Sequence, residues 1–169
     1  MNRWRGRLAA GLAAASLLAT AVAGAVAMAR DDTARSIVVR DAAGAELARA
    51  ELRPSEGFAL RYRNSVYRSI AEERFRVDGD RLRLVELRAE ELAVLEEYYT
   101  ATAADRTSSG SSLEWRVVVE RPPIPLPHRV QATALGQRSL VTERVDIPLW
   151  KLVEDRDDTL VILSVEETP

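Results

Sequence analysis

The chain contains no cysteine, one histidine (His128) and one lysine (Lys151) among its 169 residues. Without thiols there is no cysteine nucleophile, disulfide scaffold, Fe–S cluster or cysteine-ligated zinc, and a lone imidazole builds no multi-histidine metal site. A surplus of one charge is also missing. The 24 Lys+Arg face 26 Asp+Glu for a net charge of −2, without the basic excess that nucleic-acid binding requires. A Gly-x-Ser-x-Gly elbow is absent too. A hydrolase built on Ser65 or Ser111 would need His128, set among prolines, or Lys151 as its base, with no motif to join them. No cofactor and no metal are expected, and the length is that of one domain.

What is present begins at the N-terminus. Arg3, Arg5 and Arg7 precede residues 8–29, a 22-residue uncharged stretch with eleven alanines and only four leucines. Ala27-Met28-Ala29 places small residues at −3 and −1 of a cleavage site, the pattern of a secretory signal peptide. An uncleaved anchor is the rival, since about 20 apolar residues span a bilayer. Alanine contributes little to insertion, which favours cleavage. No cysteine follows the site to take a lipid, and no arginine pair marks a twin-arginine route. The expected division is 1–29 as signal peptide (or uncleaved anchor) and 30–169 as a single all-β domain. Loss of residues 1–29 removes three basic side chains and takes the balance from −2 to −5.

Period-two alternation recurs along the rest of the chain and long helical periodicity does not. Residues 36–40 and 46–52 read as a hairpin around Ala42-Ala43-Gly44. Residues 58–66 alternate, with Phe58, Leu60, Tyr62, Asn64 and Val66 on one face and Ala59, Arg61, Arg63 and Ser65 on the other. Residues 73–77 and 81–87 flank Asp78-Gly79-Asp80, the strongest hairpin signal in the chain. Residues 89–102 are open between a short helix and a strand. Residues 103–112 read as a loop, 113–120 as a strand, and Pro122 to Pro127 as an extended, ladder-poor segment. Strands over 129–135 and 139–144 surround Gly136-Gln137, a capping stretch follows at 145–152, and 159–166 closes the domain. Eight to ten short strands with turns between them predict an antiparallel β-sandwich or barrel-like domain.

The run from Tyr62 to Ser69, followed by Glu73, Phe75 and Val77, carries a resemblance. It is similar to the small exported proteins of domain-of-unknown-function family 1850, whose hallmark is Phe-x-Leu-x-Tyr-x-His-Ser-Val, then Glu-x-Phe-x-Val. Phe58, Leu60, Tyr62, Ser65, Val66, Glu73, Phe75 and Val77 match, and the later turn and strands fall in order over residues 36–166. The family's histidine position holds Asn64 here, which hydrogen bonds but does not titrate near neutral pH. Relatives of this kind are often encoded beside tripartite ATP-independent periplasmic (TRAP) transporters with a TAXI-type solute-binding protein. The resemblance therefore implies an accessory role in the envelope.

Two groups of residues are candidates for a site. Tyr62, Asn64, Ser65, Glu72 and Glu73 form either a polar pocket or a hydrogen-bond network that fixes a turn, the commoner arrangement at strand ends. Arg61, Arg63, Arg68, Arg74 and Arg76 form either a patch for an acidic protein or anionic headgroups, or cross-strand pairs with the abundant carboxylates. Glu90-Glu91 and Glu96-Glu97 are expected to solvate an exposed element, Trp115 to lie in the core and Trp150 to pack over one end of it. Pro122 to Pro127 is either a polyproline partner site or a crossover. Together these readings predict an exported, non-catalytic accessory or binding protein in the periplasm or on the outer face of the cytoplasmic membrane. Its expected partner is a solute-binding protein or transporter subunit, with membrane contact only through residues 8–29 if uncleaved. A membrane-anchored structural interaction protein is the alternative, and a serine hydrolase the least supported.

Overall fold

The computed structural model describes residues 34–168 apart from 102, 108 and 109, so the expected signal peptide or anchor lies outside the described residues. In chain order the elements are β1 (Arg35–Arg40), β2 (Glu46–Leu52), β3 (Phe58–Arg63), β4 (Ile70–Asp78), β5 (Arg81–Ala89), α1 (Leu92–Tyr99), β6 (Asp105–Arg106), β7 (Trp115–Val118), β8 (Ile124–Pro125), β9 (His128–Gln131), β10 (Ser139–Val141), β11 (Asp146–Pro148), α2 (Leu149–Leu152) and β12 (Leu160–Glu167). They build two antiparallel sheets. One runs β2-β1-β12-β9; the other runs β11-β10-β3-β4-β5-β7-β6, with β8 paired to β5. The fold is an all-β sandwich, as the alternation predicts.

The two sheets bury one apolar cluster between them. Ile37, Val39, Val161, Leu163 and Val130 come from the first sheet, and Phe58, Leu60, Phe75, Leu82, Leu87 and Leu140 from the second. Removing such apolar surface from water is the main favourable term in folding. A β-bulge keeps β5 facing this core. The register jumps from Arg74↔Glu86 to Phe75↔Leu84, which leaves Val85 over. Leu82 and Leu84 before the bulge and Leu87 and Ala89 after it are therefore all buried, and Glu86 is not carried inside. Gly57 meets another constraint, since a Cβ there would stand 2.3 Å from the Phe75 carbonyl oxygen. That close approach lets the chain enter β3 with the Phe58 and Phe75 rings stacked at 5.5 Å.

Several expected boundaries move. β3 ends at Arg63 rather than at Val66. Asn64 leaves the ladder because its side-chain Oδ1 accepts from the Val66 and Tyr67 amides, both at 3.0 Å, an alternative to strand pairing that Asn offers its own backbone. Val66 thus stands in solvent, 66 % exposed, instead of facing the core with Phe58. Within the open stretch 89–102, Leu92–Tyr99 form a helix whose Val94 and Leu95 are buried and whose C-cap, Thr100, is left-handed at φ 54°. β6 forms within the expected loop 103–112. Within the capping stretch it is Leu149 that is fully buried, while Trp150 is half-buried with the Lys151 ammonium 5.3 Å over its ring. Trp115 is half-buried against the core, under the Arg106 guanidinium at 4.8 Å.

Candidate functional site

The β3–β4 pair places the candidate residues on two faces, because neighbours along a strand point opposite ways. Arg61 pairs with Glu72 and Leu60 with Glu73. Arg61, Glu72 and Arg74 therefore lie on the outward face, and Tyr62 and Glu73 on the inward one, so the sequence cluster of Tyr62, Asn64, Ser65, Glu72 and Glu73 is divided by the sheet.

On the outward face Glu72 is buried, 3 % exposed, under two arginines. Arg61 donates to its Oε1 through Nε at 2.9 Å and lies within 2.8 Å through Nη2, while Arg74 Nη1 donates to its Oε2 at 3.2 Å. Arg61 also donates to Asp146 Oδ2 at 2.8 Å. Arg74, Arg88 and Arg116 gather around Glu86, with Arg88 hydrogen bonded to it. On this face Asp146, Glu72 and Glu86 are each in contact with at least one arginine. For Arg61 and Arg74 the cross-strand pairing described above is what the structure has. Arg63 instead donates to the Arg68 carbonyl at 3.3 Å, and among the described residues Arg76 makes no ion pair or hydrogen bond with its side chain.

The inward face opens at the end of β3 into a groove of about 400 Å³. Tyr62, Arg63, Asn64 and Ser65 form one wall, Tyr98 and Tyr99 of α1 a second, and Thr133, Leu135, Gly136 and Arg138 a third. Local bonds hold these walls together. The Arg63 amide donates to the Gly136 carbonyl at 2.7 Å, and the Gly136 amide to Thr133 Oγ1 at 3.1 Å. The loop 64–69 is closed by Asn64 and its neighbours: the Asn64 amide donates to the Ser69 carbonyl at 2.8 Å. Glu90 Oε2 accepts from the Ile70 amide at 2.7 Å, and the Tyr67 hydroxyl donates to Glu97 at 2.6 Å. Glu90 and Glu97, expected merely to solvate their element, fasten the groove's rim. Buried Asn64 is thus a loop-holding residue through Oδ1, whereas exposed Ser65 lines the groove with no side-chain hydrogen bond among the described residues.

A hydrogen-bonded relay lies behind the groove. Tyr99 Oη donates to Glu73 Oε1 at 2.9 Å, so its single proton is committed, and the Tyr62 hydroxyl donates to Tyr99 Oη at 2.7 Å. Burial raises the pKa of both phenols, and the Glu73 carboxylate raises them further. Both therefore remain neutral donors. The Arg138 guanidinium stacks over the Tyr62 ring at 5.0 Å and faces Glu73 Oε2 at 3.9 Å, beyond hydrogen-bond reach. His128, from β9 of the other sheet, feels Glu73 and Arg138 electrostatically, and burial lowers its pKa, favouring the neutral ring.

Tyr62, Arg63, Asn64 and Ser65 of the sequence candidates meet at this groove, Glu73 supports it from behind, and Arg61 and Glu72 lie across the sheet. Tyr98, Tyr99 and Arg138 were not singled out as site residues from the sequence, and His128 was weighed there only as the base of a hydrolase. The local signals of the first three are an aromatic pair in an ambiguous stretch and an arginine after a Gly-Gln turn. The described residues contain no group of three or more His, Cys, Asp or Glu placed to hold a metal ion, and no helix among them is long and apolar enough to cross a membrane. No family model matches the chain, and no curated protein or solved structure does either.

Proposed function

We propose that the protein is an exported, non-catalytic accessory or binding protein of the cell envelope that serves a TRAP-type solute uptake system. The observation that carries this reading is the groove at the end of β3. Four consecutive residues of the stretch resembling family 1850, Tyr62 to Ser65, converge there with two tyrosines and an arginine from distant parts of the chain. An open groove walled by aromatic rings with a few convergent polar groups has the composition of a ligand site. Export is supported by the basic n-region, the uncharged stretch and Ala27-Met28-Ala29. The transport association is supported by the resemblance to family 1850. The length of the uncharged stretch favours one second reading, an anchored structural interaction protein.

The experiment is crosslinking of the tagged full-length chain in intact envelopes, with the N-terminus of the recovered protein sequenced from the same sample. The expected result is a solute-binding protein or transporter subunit crosslinked through the groove, on a chain that begins at Arg30. Retention of residues 8–29 with only membrane-protein scaffolds recovered favours the anchored reading. Recovery of no specific partner overturns the accessory role.

A further inference from the structure

We infer that the groove beside Tyr62 binds a small organic carboxylate that carries an apolar body. This rests on the reading of the groove as a binding site and names the class of molecule it takes. The groove presents several hydrogen-bond donors that no described acceptor takes. The Arg138 guanidinium makes no hydrogen bond among the described residues; its contacts are the Tyr62 ring and the long pair with Glu73. Arg63 engages one carbonyl through Nε and leaves both terminal nitrogens unengaged. The Asn64 side chain accepts two amides through Oδ1 while its amide nitrogen donates to no described residue. Among the nearby acceptors, Glu73 Oε1 takes Tyr99, Glu97 takes Tyr67 and Thr133 Oγ1 takes Gly136, while Glu73 Oε2 stands 3.9 Å from Arg138.

Charge and shape agree with this. The charged side chains that line the groove, Arg63 and Arg138, are both cationic, with Glu73 behind it and Glu97 at its rim, which suits a small anion. A planar guanidinium forks onto a carboxylate through two parallel N–H bonds, and stacking on Tyr62 holds the Arg138 plane in place beforehand. The body of the ligand has an apolar rim to lie against. Leu135 is 71 % exposed and Tyr98 48 % exposed on the groove itself, and exposed Val66 and Tyr67 stand in the loop that carries Asn64 and Ser65. Among the described residues these are four of the six large hydrophobic side chains left exposed, gathered at one end of the sandwich.

The test is calorimetric titration of the purified full-length chain with hexanoate and phenylacetate, against hexanamide and hexylamine as uncharged and cationic controls. The carboxylates are expected to bind saturably and the controls not to. Arg138→Gln is expected to weaken hexanoate by about tenfold or more, and Arg63→Gln by a smaller factor. Glu73→Gln keeps an acceptor for Tyr99 while removing the competing charge, so it is expected to tighten hexanoate, which a purely structural role for Glu73 does not produce. Arg76→Gln, on the opposite face, leaves affinity unchanged. Equal binding of hexanamide and hexanoate overturns the inference, as does no binding of either carboxylate. If Arg138→Gln does not fold, Arg63→Gln and Glu73→Gln decide alone. Carboxylate binding fails independently of the accessory role: a partner crosslinked in cells by a protein that ignores hexanoate and phenylacetate leaves the accessory reading standing and removes this one.

Discussion

Glu72 and Glu73 are adjacent in the chain, identical in type and central in the same strand, yet the sheet gives them opposite tasks. Glu72 faces outward and is covered by its own partners, two arginines from β3 and β4 that fill its lone pairs. Glu73 faces the apolar core, between Leu60 and Leu87 in register, and its partners are a tyrosine hydroxyl and an arginine held beyond hydrogen-bond reach. A buried charge is tolerated when it is paired and hydrogen bonded. Glu72 meets that condition fully and serves the sheet. Glu73 meets it in part, and the part left open is an arginine at the wall of a groove.

The largest effect is expected where the two faces share their support. Leu87 is fully buried beside Glu73, and Leu87→Ala is expected to cost about 2–5 kcal/mol in urea denaturation while unsettling both carboxylates. The next effect separates the faces. Glu72→Gln leaves Arg61 and Arg74 without their shared carboxylate. Because both arginines reach water, the expected cost is about 1–2 kcal/mol rather than that of a fully buried pair. Glu73→Gln retains the Tyr99 bond and is expected to cost less than about 0.5 kcal/mol. Equal destabilisation by the two substitutions would erase the distinction between the faces.

A pH series sharpens the inner side. Burial lowers the folded pKa of His128 below 6.5, so below that value the unfolded chain binds more protons than the folded one. Its contribution is fully present above about pH 6.5 and is lost as pH falls from there through the folded value. His128→Gln is expected to flatten the decline in denaturation midpoint over that window, and a decline of the same slope in the variant would assign it elsewhere. The smallest effect belongs to Arg76→Gln on the outward face, where the side chain has no partner among the described residues. Its stability is expected to stay within about 0.5 kcal/mol of the parent.

Much of the architecture was readable along the chain because period-two alternation and Gly-containing turns are local signals. The 46–52 return of the first hairpin and the Asp78-Gly79-Asp80 turn fall where expected. Asn64 was misplaced on the Phe58 face for an equally local reason. Its side chain competes for the amides of Val66 and Tyr67, which alternation does not register. The bulge at Val85 is invisible in the same way, since only the partner strand shows that one residue is surplus.

The sequence by itself determined the fold class and the shared face of Phe58 and Leu60, and it offered arginine–glutamate pairing across β3 and β4 as one of two readings. Those follow from residue type, spacing and strand periodicity. Only the tertiary structure decided that Tyr62 meets Tyr99, 37 residues away, and that Tyr99 returns to Glu73, 26 residues back. It likewise decided that Arg138 closes over the same ring while Glu72 and Arg61 stay on the far side. Which residues become neighbours at the end of a sandwich depends on how helix α1 and the β9–β10 loop fold over the core. No spacing within the chain encodes that, because the packing of two separate sheets sets it.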